Sequence, residues 1–115
     1  MRIETLAIHA GAEADTETGA VALPLHLSTT FKHGPAGERV AGFEYQRESN
    51  PTQDRLEECL AALEGGERAL AYASGMAAMQ GLLECLPNGA HILIPHDCYT
   101  GLRTLCAEFL PLRGI

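Results

Sequence analysis

Apolar and polar positions change their rhythm near residue 50. Beyond it, Leu56, Cys59, Leu60 and Leu63 recur at helical intervals and share one face, with Glu57 and Glu58 off it. Asn50 suits the cap of that helix, Pro51 its first position and Asp54 its first turn, and Gly65-Gly66 closes it. Residues 69–73 form a short apolar run with the length of a buried strand. Ser74 and Gly75 interrupt the run, after which Met76, Met79, Leu83 and Leu86 return to helical spacing. Pro87-Asn-Gly89 predicts a turn, and residues 91–94 predict a second strand stopped by Pro95. Residues 99–110 predict a third helix, with Leu102, Leu105, Cys106 and Phe109 on one side. Pro111 ends it, and residues 112–115 can begin another strand.

The first fifty residues lack such a period. Residues 5–9 can start a short helix ended by Gly11, residues 12–19 are small and acidic, and residues 23–31 are apolar and extended, broken by Pro24. Residues 33–42 are rich in glycine and contain Pro35. A stretch of this kind cannot bury enough surface for a core of its own. It is either a mobile tail or an arm that packs on another surface, such as a second subunit.

Two strands joined by a helix imply a right-handed parallel crossover, hence an α/β fold and the start of a doubly wound, mostly parallel sheet. Such sheets are covered on both faces, and the two or three strands read here are a fragment of such a layer. The expectation is an N-terminal piece of something longer, with residues 1–49 as the arm and residues 50–115 as the first part of a truncated α/β domain.

A net charge of −7 argues against nucleic-acid and anionic-membrane partners. The N-terminus lacks the apolar core of a signal peptide, so a cytoplasmic location is expected. Cys59, Cys85, Cys98 and Cys106 form no Cys-x-x-Cys pair, and the five histidines lack ligand spacing, so no metal site is predicted. The stretch with the most chemical content is Ser74-Gly75-Met76. A helix that starts there presents unpaired N–H groups and a positive dipole end, which suit a phosphate, and Gly75 keeps the backbone accessible. An ordinary strand-to-helix corner has the same pattern and holds nothing.

Three motifs in order, Tyr45-Gln-Arg-Glu-Ser-Asn-Pro-Thr52, Leu63-Glu-Gly-Gly66 and Ala73-Ser-Gly-Met-Ala-Ala78, resemble the N-terminal third of the Cys/Met-metabolism pyridoxal-phosphate enzymes. That family holds the cystathionine γ-synthases, cystathionine γ-lyases, methionine γ-lyases and homoserine-ester sulfhydrylases. Glu4-Thr-Leu-Ala-Ile-His-Ala-Gly11 and the stretch from Pro24 to Phe31 fit as well. The resemblance implies the large domain of a fold-type I enzyme, pyridoxal 5'-phosphate as cofactor, an amino-acid substrate and a homodimer or homotetramer with shared phosphate sites. It implies that Tyr45 and Arg47 reach the cofactor phosphate of a neighbouring subunit. It assigns Ser74, Gly75 and Met76 to the phosphate of their own subunit. Asp97-Cys-Tyr99 matches the family's Asp-x-Tyr, which implies that Tyr99 stacks on the cofactor ring and assists proton transfer.

Two departures qualify this expectation. Relatives often follow that tyrosine with Gly-Gly-Thr, whereas this chain has Thr100-Gly101-Leu102. The single lysine, Lys32, lies in the arm outside any matching motif, while the family's Schiff-base lysine lies far downstream. The 115-residue chain alone is therefore expected to be inactive. In a full-length protein the resemblance implies γ-elimination or γ-replacement on cysteine- or homoserine-type substrates in transsulfuration, with cystathionine γ-synthase or γ-lyase first and a homoserine-ester sulfhydrylase or methionine γ-lyase as alternatives. Asn50-Pro51-Thr52 points away from some β-lyases. A non-catalytic binding or interaction module built from the same fold is the reading from another class.

Overall fold

A computed structural model describes residues Met1–Ile115. Its elements are α1 (Ile3–His9), α2 (Pro51–Glu64), α3 (Gly75–Glu84) and α4 (Thr100–Thr104), the last continuing into a π turn (Leu105–Phe109) and a 3₁₀ turn (Leu110–Arg113). They belong to two compact units, Met1–Ala71 and Tyr72–Ile115.

In the first unit the short N-terminal helix forms as expected and packs against α2. Gly11 makes the approach possible: it has a φ of +68°, and a Cβ there would stand 2.7 Å from the Arg55 carbonyl oxygen. Asn50 is buried and does more than cap α2. Its side-chain oxygen accepts from Thr52 N–H at 2.9 Å, and its Nδ2 donates to the His26 carbonyl at 3.1 Å. Thr52 Oγ1 in turn accepts from His26 N–H at 2.9 Å. The extended stretch 23–31 is thus held at the start of α2 through both backbone groups of His26. Each such bond is worth about 1 kcal/mol. Residues 29–31 also pair with 44–46: Phe31 N–H donates to Glu44 O at 3.0 Å and Gln46 N–H to Thr29 O at 2.9 Å. The Phe31 and Phe43 rings meet with centroids 5.3 Å apart.

The apolar face expected on α2 is only partly covered. Leu56 is 51% exposed and Leu60 38%, while Ala61 is the buried residue. Periodicity shows which residues share a face, not whether anything lies against it, and α1 is only seven residues long. Glu57, read from the sequence as an outer residue, is half-buried and accepts from Ala71 N–H at 2.8 Å.

In the second unit Leu83 is the buried position of α3, and Met76 and Met79 lie half-buried on the same face. Arg113 closes its C-terminal end by donating to the Leu83 and Leu86 carbonyls at 3.3 and 2.8 Å and pairing with Glu84. The Pro87-Asn-Gly89 turn forms, with Ala90 N–H donating to Pro87 O at 3.1 Å.

Three expectations change. The segments 69–73 and 91–94 form neither helix nor strand, and neither joins a hydrogen-bonded ladder, so the parallel crossover is not formed. A parallel strand is stable when neighbours cover both its faces, and Leu70 and Leu93 are 70% and 89% exposed. The helix expected over 99–110 begins at Thr100, keeps α geometry only to Thr104 and then widens. The widening precedes Pro111, whose ring cannot donate an N–H and would collide with the carbonyl four residues back, that of Ala107. A π turn holds one residue more than an α turn, so the inward position moves from Phe109, 56% exposed, to Leu110, 4% exposed. Finally, residues 112–115 do not begin a strand: Leu112 and Arg113 lie in the 3₁₀ turn, and Gly114 ends it in the left-handed region.

Candidate functional site

Ser74 sits at the cap of α3 with an extended backbone, φ −156° and ψ 156°, and its Oγ accepts from Ala77 N–H at 3.1 Å. Gly75 and Met76 are the first two helical residues. Their N–H groups point out of the helix start, where no intrahelical carbonyl can reach them. The hydroxyl hydrogen of Ser74 is free to donate outward while its oxygen caps the helix. A Cβ on Gly75 would meet no atom within 4 Å, so the chain's own packing does not require a glycine there.

Gly101 brings this turn and Tyr99 together. A Cβ on Gly101 would lie 2.7 Å from Tyr99 Cε1 and 2.9 Å from Met76 Sδ. The Tyr99 ring, the Met76 thioether and the bare backbone of Gly101 therefore share one small volume. Tyr99 is the cap residue of α4, makes no capping hydrogen bond with its side chain and is 64% exposed. The departure noted at Thr100-Gly101-Leu102 keeps its glycine where the ring needs it. Sequence reasoning missed the part played by Gly101; its signal was a glycine at the third position of the helix predicted over 99–110, where propensity disfavours it.

Tyr45 and Arg47 lie in the first unit, Tyr45 opposite Thr30 within the pairing of 29–31 with 44–46 and Arg47 just after it. The Arg47 guanidinium carbon stands 4.2 Å from the centroid of the Tyr45 ring, a cation–π contact. Thr30, His33, Glu44 and Glu48 join them around an open cavity of about 350 Å³. Arg39 donates to the carboxylates of both Glu44 and Glu48. The Glu44 hydrogen bond in particular holds its guanidinium pKa above the ordinary arginine value. Among the cysteines, burial first and neighbouring Cys98 second push the Cys106 thiol up, which keeps it a thiol. No group of three or more His, Cys, Asp or Glu is placed to hold a metal ion. No helix is long and apolar enough to cross a membrane.

Residues 4–115 match the family described as Cys/Met metabolism PLP-dependent enzyme. The chain is 37% identical to the cystathionine gamma-lyase of Bacillus subtilis over 115 residues, which are all of this chain and 30% of that protein. It is 38% identical over 113 residues to the cystathionine beta-lyase of Lactococcus lactis subsp. cremoris, covering 98% of this chain and 30% of that protein. It is 48% identical over 98 residues to the cystathionine gamma-synthase of Mycobacterium bovis, covering 84% of this chain and 25% of that protein. Among solved structures, metB from Corynebacterium glutamicum superposes with a TM-score of 0.89 at 38% identity, over 99% of this chain and 30% of that one. The chain belongs to the pyridoxal-phosphate-dependent family of Cys/Met metabolism, and it spans 25% to 30% of the length of these relatives. A β-lyase stands beside the γ-lyase at comparable identity.

Proposed function

We propose that this chain is the N-terminal portion of a transsulfuration enzyme acting at the γ-carbon of cysteine- or homoserine-type substrates, as a cystathionine γ-synthase or γ-lyase does. The observation that carries the proposal is the convergence of the Ser74-Gly75-Met76 helix start and the Tyr99 ring over Gly101. The residues fit pyridoxal phosphate. The N–H groups of Gly75 and Met76 and the hydroxyl of Ser74 donate to a phosphate at the positive end of α3. A Cβ on Gly75 would meet no side chain and no other part of the chain within 4 Å. Tyr99 offers an exposed aromatic face beside that helix start and a phenol that can hold or pass a proton. When bound, the cofactor supplies an electron sink for negative charge developing on the substrate.

Tyr45 and Arg47 complete the phosphate contacts, in this proposal, from the neighbouring subunit of a dimer. Many large apolar side chains stay exposed in both units, among them Leu25, Leu27, Leu70, Leu82 and Leu93, which supports further covering by polypeptide outside this chain. The cofactor-carrying lysine is downstream in this reading, so residues 1–115 alone form no product. Two inactive full-length variants test the shared site: Arg47→Ala, and one altered at the downstream lysine. Mixed and refolded together they are expected to regain activity, because one site of each mixed dimer has both groups. No recovery from parents that each fold and dimerise overturns the shared site.

Gly101→Ala separates positioning from folding. Alanine raises local helix propensity by up to about 1 kcal/mol, so the fold should hold or gain stability. Its methyl group displaces the Tyr99 ring, and turnover is expected to fall about tenfold. Steady-state kinetics beside a thermal melt check this, and parental turnover at an unchanged melting temperature refutes the positioning role.

A further inference from the structure

Tyr45 and Arg47 are bracketed in sequence by two acids, Glu44 before them and Glu48 after them. All four side chains face the same cavity of about 350 Å³. An arginine so placed would ordinarily pair with an adjacent carboxylate, and an anion entering the cavity would meet two negative charges. Neither happens. Arg39 reaches across from the far side of the Pro35 turn, its Nε donating to Glu44 Oε2 at 2.9 Å and its Nη2 to Glu48 Oε2 at 2.7 Å. Arg47 forms no ion pair and lies instead over the Tyr45 ring. The backbone pair between His33 and Arg39 fixes the strand position from which Arg39 reaches.

We propose that Arg39 is a positioning residue of the anion site: by holding Glu44 and Glu48 it leaves the Arg47 guanidinium free for a phosphate dianion. This rests on the assignment of Arg47 to the cofactor phosphate. With Arg39 in place two cations balance two carboxylates around the cavity. Without it, one carboxylate is left to pair with Arg47, and the cavity carries a net negative charge. The cluster is open to solvent, with the Arg39 side chain 44% exposed, so screening limits the effect to a modest size.

The test is a titration of the full-length apoenzyme with pyridoxal phosphate and, separately, with pyridoxal, which lacks the phosphate. Arg39→Met is expected to weaken pyridoxal phosphate about fivefold to tenfold and to leave pyridoxal unchanged. Adding Glu44→Gln and Glu48→Gln to that variant is expected to restore the parental affinity to within about twofold, since nothing then competes for Arg47. Glu44→Gln with Glu48→Gln in the Arg39 background should bind the phosphate ester at least as well as the parent, and it tests the same point if Arg39→Met fails to fold. Equal weakening of both ligands by Arg39→Met, or no rescue in the triple variant, shows a loop-holding or direct phosphate role and overturns the inference. Weakening by Arg47→Ala but not by Arg39→Met overturns the inference alone. No weakening by Arg47→Ala overturns the phosphate assignment and the inference with it.

Discussion

Gly75→Pro in the full-length enzyme is expected to weaken pyridoxal phosphate at least about tenfold while leaving α3 in place. From sequence alone a proline at this turn looks disruptive. The structure places Gly75 at the first helical position, where proline is at home because no intrahelical acceptor awaits its N–H. The preceding residue, Ser74, already has the extended backbone that a following proline demands, φ −156° and ψ 156°. A Cβ on Gly75 meets nothing within 4 Å, so no clash pushes the helix aside. The substitution therefore keeps the helix, removes one donor and puts a ring carbon where the N–H would point. A hydrogen bond from N–H to a charged acceptor is worth about 1.5–3 kcal/mol, which is roughly tenfold to a hundredfold in affinity. A cofactor titration by absorbance, beside circular dichroism to confirm the helix, checks it. Parental affinity in a folded Gly75→Pro variant would mean that the Gly75 N–H holds no phosphate.

What could be read in the sequence follows the range of the forces involved. The cap of α2 was legible because capping is local: Asn50 bonds to the N–H two residues on. By spacing Ser74 is only a break in the apolar run, although its Oγ accepts from the N–H three residues on. Family motifs singled out Tyr45, Arg47, Ser74 and Tyr99 as candidates without any knowledge of distance. The failures involve partners that pattern does not specify. The runs at 69–73 and 91–94 have strand composition, but a ladder needs neighbours, and Ala71 N–H bonds to the Glu57 carboxylate instead. Phe109 has the right helical phase, yet the π turn before Pro111 hands the buried place to Leu110. Asn50 could be read as a cap but not as a clamp on His26, 24 residues away, since nothing in spacing reports a side chain's second hydrogen bond. Arg39 is the same case: its charge was countable, its choice of Glu44 and Glu48 was not.

Tyr99→Phe is expected to keep the cofactor bound and to slow turnover by about a hundredfold to ten-thousandfold, the usual range for general acid–base assistance. The ring and the hydroxyl have separate supports in the structure. Packing places the ring, because the bare Gly101 backbone and Met76 Sδ leave room for it beside the start of α3. Phenylalanine fits that space as tyrosine does. The side chain does not cap α4, and the residue is 64% exposed, so removing the hydroxyl takes no hydrogen bond from the helix start. A loss of turnover then reports on the reaction and not on folding. Tyr99→Ala removes the aromatic face as well, and stacking of about 0.5–1.5 kcal/mol predicts a further twofold to tenfold weakening of the cofactor. Single-turnover kinetics and a pyridoxal-phosphate titration on both variants separate the two roles. Parental turnover in Tyr99→Phe removes the hydroxyl from the reaction. If Tyr99→Ala also holds cofactor like the parent, Tyr99 is an aromatic packed on Gly101 and Met76 with no part in the site.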